Sequence, residues 1–431
     1  MNIIILLLVS LIALLTVVVF FISRKYFLYS LFITYPVIAQ AVRITIDLPG
    51  FTSNVSMFYG FVVFLLTLTG IFLYPSFDDI TVVTLLFFFY CLSTFTFSSS
   101  PLLTIKESLK IGTWMLLVPF AMRHIKTEDD VFMLSNFSLF MVLVVSFSIL
   151  LSKLGLFGRM IGYNAGVTVA IGGYYNQSGI ADIFALCIPL LLLNVFYKKR
   201  QILFTIGVGI SFLCLLLTYV RGSLVAFILG FFYLFYILFR YTNVRISFHF
   251  IVLFAIVSMT FGVFYMTNKD TAFSRWKVEA ELYKENKIEK LGSGRIGDIE
   301  FCTNYYLHQM DFLKKIFGDG FGTTGLISKS GKISHNAFLQ VLLGCGIVGI
   351  SLFLMYLALI YFKLKALIMN IKEKKIFAAL GLMVTVMLIL LLSREGATEF
   401  FSFYVPSIYS GSIIGFYKHS LSKKPSKKVR V

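Results

Sequence analysis

Apolar windows of about 20 residues, the length of helix that crosses a bilayer core, recur along almost the whole of this chain. They lie at 3–22, 26–42, 55–74, 80–98, 109–122, 131–151, 174–197, 202–219, 222–239, 247–266, 335–362, 376–393 and 403–417. Lipid cannot hydrogen-bond an exposed peptide group, so segments of this kind cross as helices that satisfy their own backbone. With 58% of its 431 residues hydrophobic and 13% charged, and a mean hydropathy of +0.90, most of the chain is excluded from the water-soluble classes. The reading is an all-α polytopic integral membrane protein of about 12–14 transmembrane helices. Windows 26–42 and 109–122 are short, which marks tilted, kinked or broken helices. No Pro/Ser-rich linker, fixed-period repeat or low-complexity tract divides the chain. Residues 1–431 therefore read as one membrane domain, with a long hydrophilic loop at 267–333 and a basic tail at 418–431.

Lysine and arginine in the short loops set the expected orientation. Arg24-Lys25, Arg123 with Lys126, Lys198-Lys199-Arg200, Arg240 with Arg245, Lys363 to Lys375 and the tail Lys418 to Arg430 alternate onto one side, which becomes the cytoplasmic one. The loops around Arg43 to Ser56, Pro101 to Ser108, Ser152 to Tyr174, Arg221, Thr267 to Ile333 and Arg394 to Ser402 then face outward, as does the short N-terminus. The first segment lacks the basic n-region and small-residue cleavage site of a signal peptide. A formal charge of +18 invites a nucleic-acid reading. Its spread over the cytoplasmic loops and tail is instead explained by topology and anionic membrane lipids, so nucleic acid is not an expected partner.

Cys91, Cys187, Cys214 and Cys345 fall inside apolar windows and Cys302 stands in the long loop, a pattern without a disulfide framework or a metal cluster. Chemistry is sought instead at ionisable groups near the membrane, where an unpaired charge is expensive. Arg221, in Thr218-Tyr219-Val220-Arg221-Gly222-Ser223, sits where two apolar runs meet at a tight outer turn. Its planar, permanently charged guanidinium suits a pyrophosphate, whereas an arginine snorkelling to lipid headgroups would carry the same letters. Arg295, in Ser293-Gly294-Arg295, offers a second guanidinium at the start of an amphipathic helix, with Ile299, Tyr306 and Phe312 as candidates for its apolar face. Its alternative is a solvent-facing loop residue.

His335, in Ser334-His335-Asn336-Ala337-Phe338-Leu339-Gln340, opens the apolar run that ends near Phe362. Imidazole titrates closest to neutrality, so His335 is the candidate for proton transfer or a charge-assisted phosphate contact, against a plain helix-start residue capped by Ser334. Asn336 beside it is placed to orient it or to bind a sugar hydroxyl. Gly318, Gly320 and Gly322 alternate with Phe317, Asp319 and Phe321, but no strand precedes them and no Lys-Ser/Thr follows in P-loop register. They read as a tight turn returning the loop to the membrane, with Asp319 as a sugar contact or a turn cap. Tyr174, Tyr175, Asn176 and Gln177 precede another helix start, where tyrosines stack on pyranose faces and amides meet hydroxyls, or serve as ordinary interfacial residues. Arg394-Glu395 and Glu399 form a further polar group before the last window.

Taken in order, the helix-turn arginine, the long loop with Gly294-Arg295, the glycine turn and His335-Asn336-x-x-Leu339-Gln340 resemble the bacterial O-antigen polymerase and O-antigen ligase superfamily. Val220 stands where that superfamily usually has serine before the arginine. The motifs span Gly172 to Phe362, while the first half matches by its helix pattern alone. The resemblance implies a glycosyltransferase of GT-C-like helical architecture in the bacterial cytoplasmic membrane, working on the outer face with no nucleotide sugar, metal or other cofactor. Its donor and acceptor would be oligosaccharide repeat units on undecaprenyl pyrophosphate, and a chain-length regulator and a flippase of the same pathway would be its partners. Arg221 and Arg295 would clamp the donor pyrophosphate, and His335 would take the acceptor proton or bind phosphate; Asp298, Glu395 and Glu399 are alternative bases. Polymerase is the preferred reading. A ligase transferring glycan to lipid A-core or protein shares the same signature, and a lipid-linked oligosaccharide flippase is the non-enzymatic alternative.

Overall fold

A computed structural model describes residues 2–40, 45–48, 51–75, 77–156, 160–161, 168–169, 177–197, 201–241, 280–287, 295–323, 335–370, 375–396 and 400–422, with isolated residues between 258 and 266. Helices α1 (Asn2–Ile22), α2 (Arg24–Gln40), α3 (Val55–Leu73), α4 (Asp79–Ser93), α5 (Pro101–His124), α6 (Glu128–Lys153), α7 (Gln177–Phe196), α8 (Gln201–Leu217) and α9 (Arg221–Tyr241) run up and down in turn. Two short helices follow, α10 (Arg295–Asn304) and α11 (Phe312–Phe317), and then α12 (Ala337–Asn370), α13 (Lys375–Leu392) and α14 (Phe400–Ser422). Two antiparallel ribbons lie in the connections, β1 (Thr45–Leu48) with β2 (Phe51–Asn54) and β3 (Met160–Ile161) with β4 (Thr168–Val169). We call the end of the bundle at which α5, α7, α9 and α12 begin the loop end.

The protein is an all-α polytopic membrane protein. Among the described residues seven helices are long and apolar enough to cross a bilayer, and Leu6–Ile22 and Gln201–Leu217 are shorter apolar helices. Twelve of the thirteen apolar windows coincide with helices, and the window 247–266 lies almost wholly outside the described residues. Window 109–122 is a correction: α5 is neither short nor broken but begins at Pro101, so that Pro101 to Ser108 form its first two turns rather than a loop. Lys106 and Glu107 lower the hydropathy of those turns and hid them from the apolar reading.

Small residues decide which helices meet closely. Gly411 and Gly415 of α14 form a Gly-x-x-x-Gly pair laid on the backbone of α5; a Cβ on either would stand 2.4 Å from a carbonyl, of Val118 and Met122 respectively. That is the close-approach mode by which membrane helices gain contact where lipid offers no hydrophobic drive. The most enclosed span is α7, with 94% of its apolar window buried, so any charge it carries is held inside protein. At the opposite end of the bundle Asp130, Asp79 and Asp78 pair with Lys25 at 3.0 Å, Lys363 at 3.4 Å and Lys418 at 3.7 Å.

Candidate functional site

α7 carries one charged residue, Asp182, five residues after its start, and that carboxylate is fully buried. Its Oδ1 accepts a hydrogen bond from Ser223 Oγ of α9 at 2.5 Å and from Arg394 Nη2 at 2.7 Å. Arg394 stands in the turn that ends α13, where the backbone N–H groups of Arg394 and Glu395 both donate to the Leu391 carbonyl at 2.9 and 2.8 Å. The same Nη2 reaches Ser223 Oγ at 3.2 Å and Glu395 Oε1 at 2.9 Å. Its stem crosses Gly222, where a Cβ would lie 2.1 Å from Arg394 Cδ. Glycine is thus required at 222 by the path of another side chain and not by its own backbone angles.

Arg295, the first residue of α10, brings its Nη2 to 3.9 Å from the same Glu395 Oε1. Burial pushes its guanidinium below the ordinary arginine range, opposed by the charge of Glu395. The result is a chain of alternating charge, Asp182, Arg394, Glu395 and Arg295, in which the two carboxylates are almost wholly buried and Arg295 is the most open member, at 32%. Two guanidiniums balance two carboxylates. Arg394 meets three partners through Nη2 while its buried Nε makes no hydrogen bond, and Arg295 stands 3.9 Å from its carboxylate.

The residues expected at the site are arranged around this chain. Arg221 is half-buried at the first position of α9, directly before the Gly222 that Arg394 covers. The turn leading into it holds Tyr219 in the left-handed region, φ 54°, a conformation that costs a residue with a Cβ about 1–2 kcal/mol and is retained where surrounding structure fixes it. Gln177 begins α7, and its Nε2 donates to the Thr218 carbonyl in that same turn. Asn336 accepts from the Leu339 N–H at 3.1 Å and donates to the Ser393 carbonyl at 3.1 Å. It therefore caps α12 and fastens it beside Arg394, so the cap expected of Ser334 is supplied by Asn336, and its amide is engaged at both ends. His335 precedes it and is exposed. Arg295, and the residues Gly222 and Asn336 that follow Arg221 and His335 in the chain, all meet the turn Ser393-Arg394-Glu395. Tyr174, Tyr175, Asn176, Ser334 and Glu399 lie outside the described residues.

The glycine turn docks more deeply than a surface return. Asp319 and Gly320 donate their N–H groups to the Leu343 and Gly344 carbonyls of α12 at 3.1 and 3.0 Å. Tyr90 of α4 donates to the carbonyls of Phe317 and Cys345 at 3.0 and 3.1 Å. Gly318, at φ 94°, leaves 2.1 Å between a would-be Cβ and the Gly344 oxygen, and α12 breaks its helical path at Gly346, φ 62°, to receive the turn. Asp319 is buried and pairs with Lys314 at 2.7 Å, which holds that ammonium above its ordinary range. The apolar face of α10 is another correction. Ile299 and Phe312 are exposed, and the packing is made by Cys302 and Met310 with Leu343, joined by Tyr305 and Tyr306.

The sequence reading gave Arg394 little weight and Asp182 none. The signal for Asp182 was present as the single charged residue in the apolar window 174–197, which in a membrane helix is by default a functional or paired group. No family model matches the chain, and a search of characterised proteins finds no match.

Proposed function

We propose that the protein is a polyprenyl-pyrophosphate-dependent glycosyltransferase of GT-C-like architecture that polymerises oligosaccharide repeat units of a bacterial surface polysaccharide on the outer face of the cytoplasmic membrane. The observation that carries this reading is the ordered charge chain Asp182–Arg394–Glu395–Arg295 at the loop end. Its outermost guanidinium has no carboxylate closer than 3.9 Å among the described residues. In the proposed reaction an acceptor hydroxyl oxygen bonds to the anomeric carbon of the donor. The bond from that carbon to the phosphate oxygen breaks, its electron pair leaves with undecaprenyl pyrophosphate, and the hydroxyl proton passes to the exposed imidazole of His335.

Each residue has one task. Arg295 and Arg221 bind the pyrophosphate, where negative charge grows as the bond breaks and fixed cations act most strongly. Arg394 is a positioning residue: it holds Asp182 and Glu395, and Glu395 places a buried negative charge 3.9 Å from the Arg295 guanidinium. Asn336 fixes the start of α12 and hence the backbone from which His335 projects. Deleting the gene and analysing the surface glycan tests the assignment. Single-repeat glycan on its normal acceptor is the expected result. Full-length glycan stranded on undecaprenyl pyrophosphate would make the protein a ligase, and accumulation of unflipped repeat units on the inner leaflet would make it a flippase.

A further inference from the structure

A second set of charged groups at the loop end takes no part in the arginine chain. Lys106, Glu107 and Lys110 occupy the second and third turns of α5, and helical spacing puts them with Leu103 on one contiguous arc. Glu107 is 1% exposed. One carboxylate oxygen, Oε1, accepts from Lys110 Nζ at 2.7 Å, while the other, Oε2, is buried with no hydrogen-bond partner. Gly322 of the glycine turn, at φ 93°, presses on the carboxylate stem, since a Cβ there would lie 2.6 Å from Glu107 Cγ. The acid is therefore pinned between a helix and a docked turn. Lys106 is half-buried beside it and forms no ion pair among the described residues.

Two ammoniums face one carboxylate, and that carboxylate has a vacant oxygen. An uncompensated cation and an unsatisfied acceptor are each costly when partly or fully withdrawn from water. Both are relieved by one ligand that brings an anionic oxygen and a hydroxyl together, which is the chemistry of a phosphorylated sugar. We infer that Lys106, Lys110 and Glu107 form a second lipid-phosphate site that holds the acceptor, the lysines taking its pyrophosphate oxygens and Glu107 Oε2 accepting a hydrogen bond from its first sugar. This rests on the polymerising reading above, which needs two lipid-linked substrates in the protein at once. The division of residue types fits the division of labour. The acceptor pyrophosphate is held but not cleaved, so the point charges of lysine suffice, whereas the departing pyrophosphate gains from the bidentate fork of arginine.

Phospholipid headgroups carry the same anionic chemistry, and the test separates the sources. Purified full-length protein in detergent is titrated with undecaprenyl pyrophosphate and read by native mass spectrometry. Wild type is expected to bind two copies, Arg295→Gln one, the pair Lys106→Gln and Lys110→Gln one, and the pair Lys106→Arg and Lys110→Arg two. Glu107→Gln is expected to leave the bare lipid bound but to weaken the sugar-bearing repeat unit about tenfold, the worth of one hydrogen bond to a charged group. Gel filtration checks assembly of each variant; if the glutamine pair misassembles, Lys106→Gln alone carries the comparison. Two copies on the glutamine variant would overturn the site, as would displacement of the second copy by an equal concentration of phosphatidylglycerol. A single wild-type copy, lost in Arg295→Gln, would overturn the second site and leave the donor site at Arg295 standing. No binding at all would overturn both.

Discussion

Replacing Arg394 by methionine should damage the fold more than any other single change in the charge chain. The guanidinium is only 14% exposed and serves Asp182 Oδ1 at 2.7 Å, Glu395 Oε1 at 2.9 Å and Ser223 Oγ at 3.2 Å. Its loss leaves two carboxylates, 0% and 5% exposed, without their main counter-charge. Breaking a buried pair by removing one partner costs about 3–5 kcal/mol, because the remaining charge stays desolvated. Arg295→Met removes a guanidinium that is 32% exposed and 3.9 Å from its acid, a loose contact worth about 1 kcal/mol or less. Thermal unfolding of the purified protein in detergent should therefore rank wild type and Arg295→Met together, with Arg394→Met well below. Adding Asp182→Asn and Glu395→Gln to Arg394→Met should recover part of the loss, since neutral amides no longer demand a cation. Transfer activity should rank differently, with Arg295→Met inactive at near-normal stability. If Arg394→Met proves as stable as Arg295→Met, the buried-charge reasoning is wrong.

Four further outcomes are expected. Arg221→Lys should abolish polymerisation at normal protein levels, because an ammonium keeps the charge but loses two-point contact with phosphate; a normal chain-length distribution would instead assign Arg221 to headgroup snorkelling. His335→Ala should stop transfer in a purified assay while leaving the thermal midpoint unchanged, and wild-type transfer should be indifferent to EDTA if arginines carry the charge stabilisation. Asn336→Ala should cost about 1 kcal/mol through the lost cap of α12, visible as a lower thermal midpoint, and Asn336→Asp should recover only part of it, because a carboxylate keeps the cap but has no N–H to donate to Ser393. Gly318→Ala should undock the glycine turn, costing about 2 kcal/mol or more because backbone cannot yield as a side chain can, and limited proteolysis of the long loop should then accelerate.

The helices were legible because hydropathy reports span length directly, and twelve of thirteen windows became helices. The start of α5 was lost for the same reason: Lys106 and Glu107 look like loop to a hydropathy scale, although Glu107 is buried against the docked turn. Arg221, Arg295 and His335 were legible as candidates because they stand at or next to helix starts. The charge chain was not, because what couples Asp182 to Arg394 is a tertiary crossing between residues 212 positions apart. Asn336 shows the other limit: its residue type suited both a sugar contact and a cap, and the geometry of Leu339 and Ser393 gives it the cap. The Gly411 and Gly415 pair was readable as a close helix contact, but only the packing identifies α5 as its partner.

The glycine turn is tied to α12 and α4 through carbonyls and N–H groups, with glycines at 318, 344 and 346 removing the side chains that would hold the strands apart. An attachment made by main chain is indifferent to the identity of most residues around it. Substitutions at the non-glycine positions of the turn that keep its main chain in place therefore leave the anchor intact.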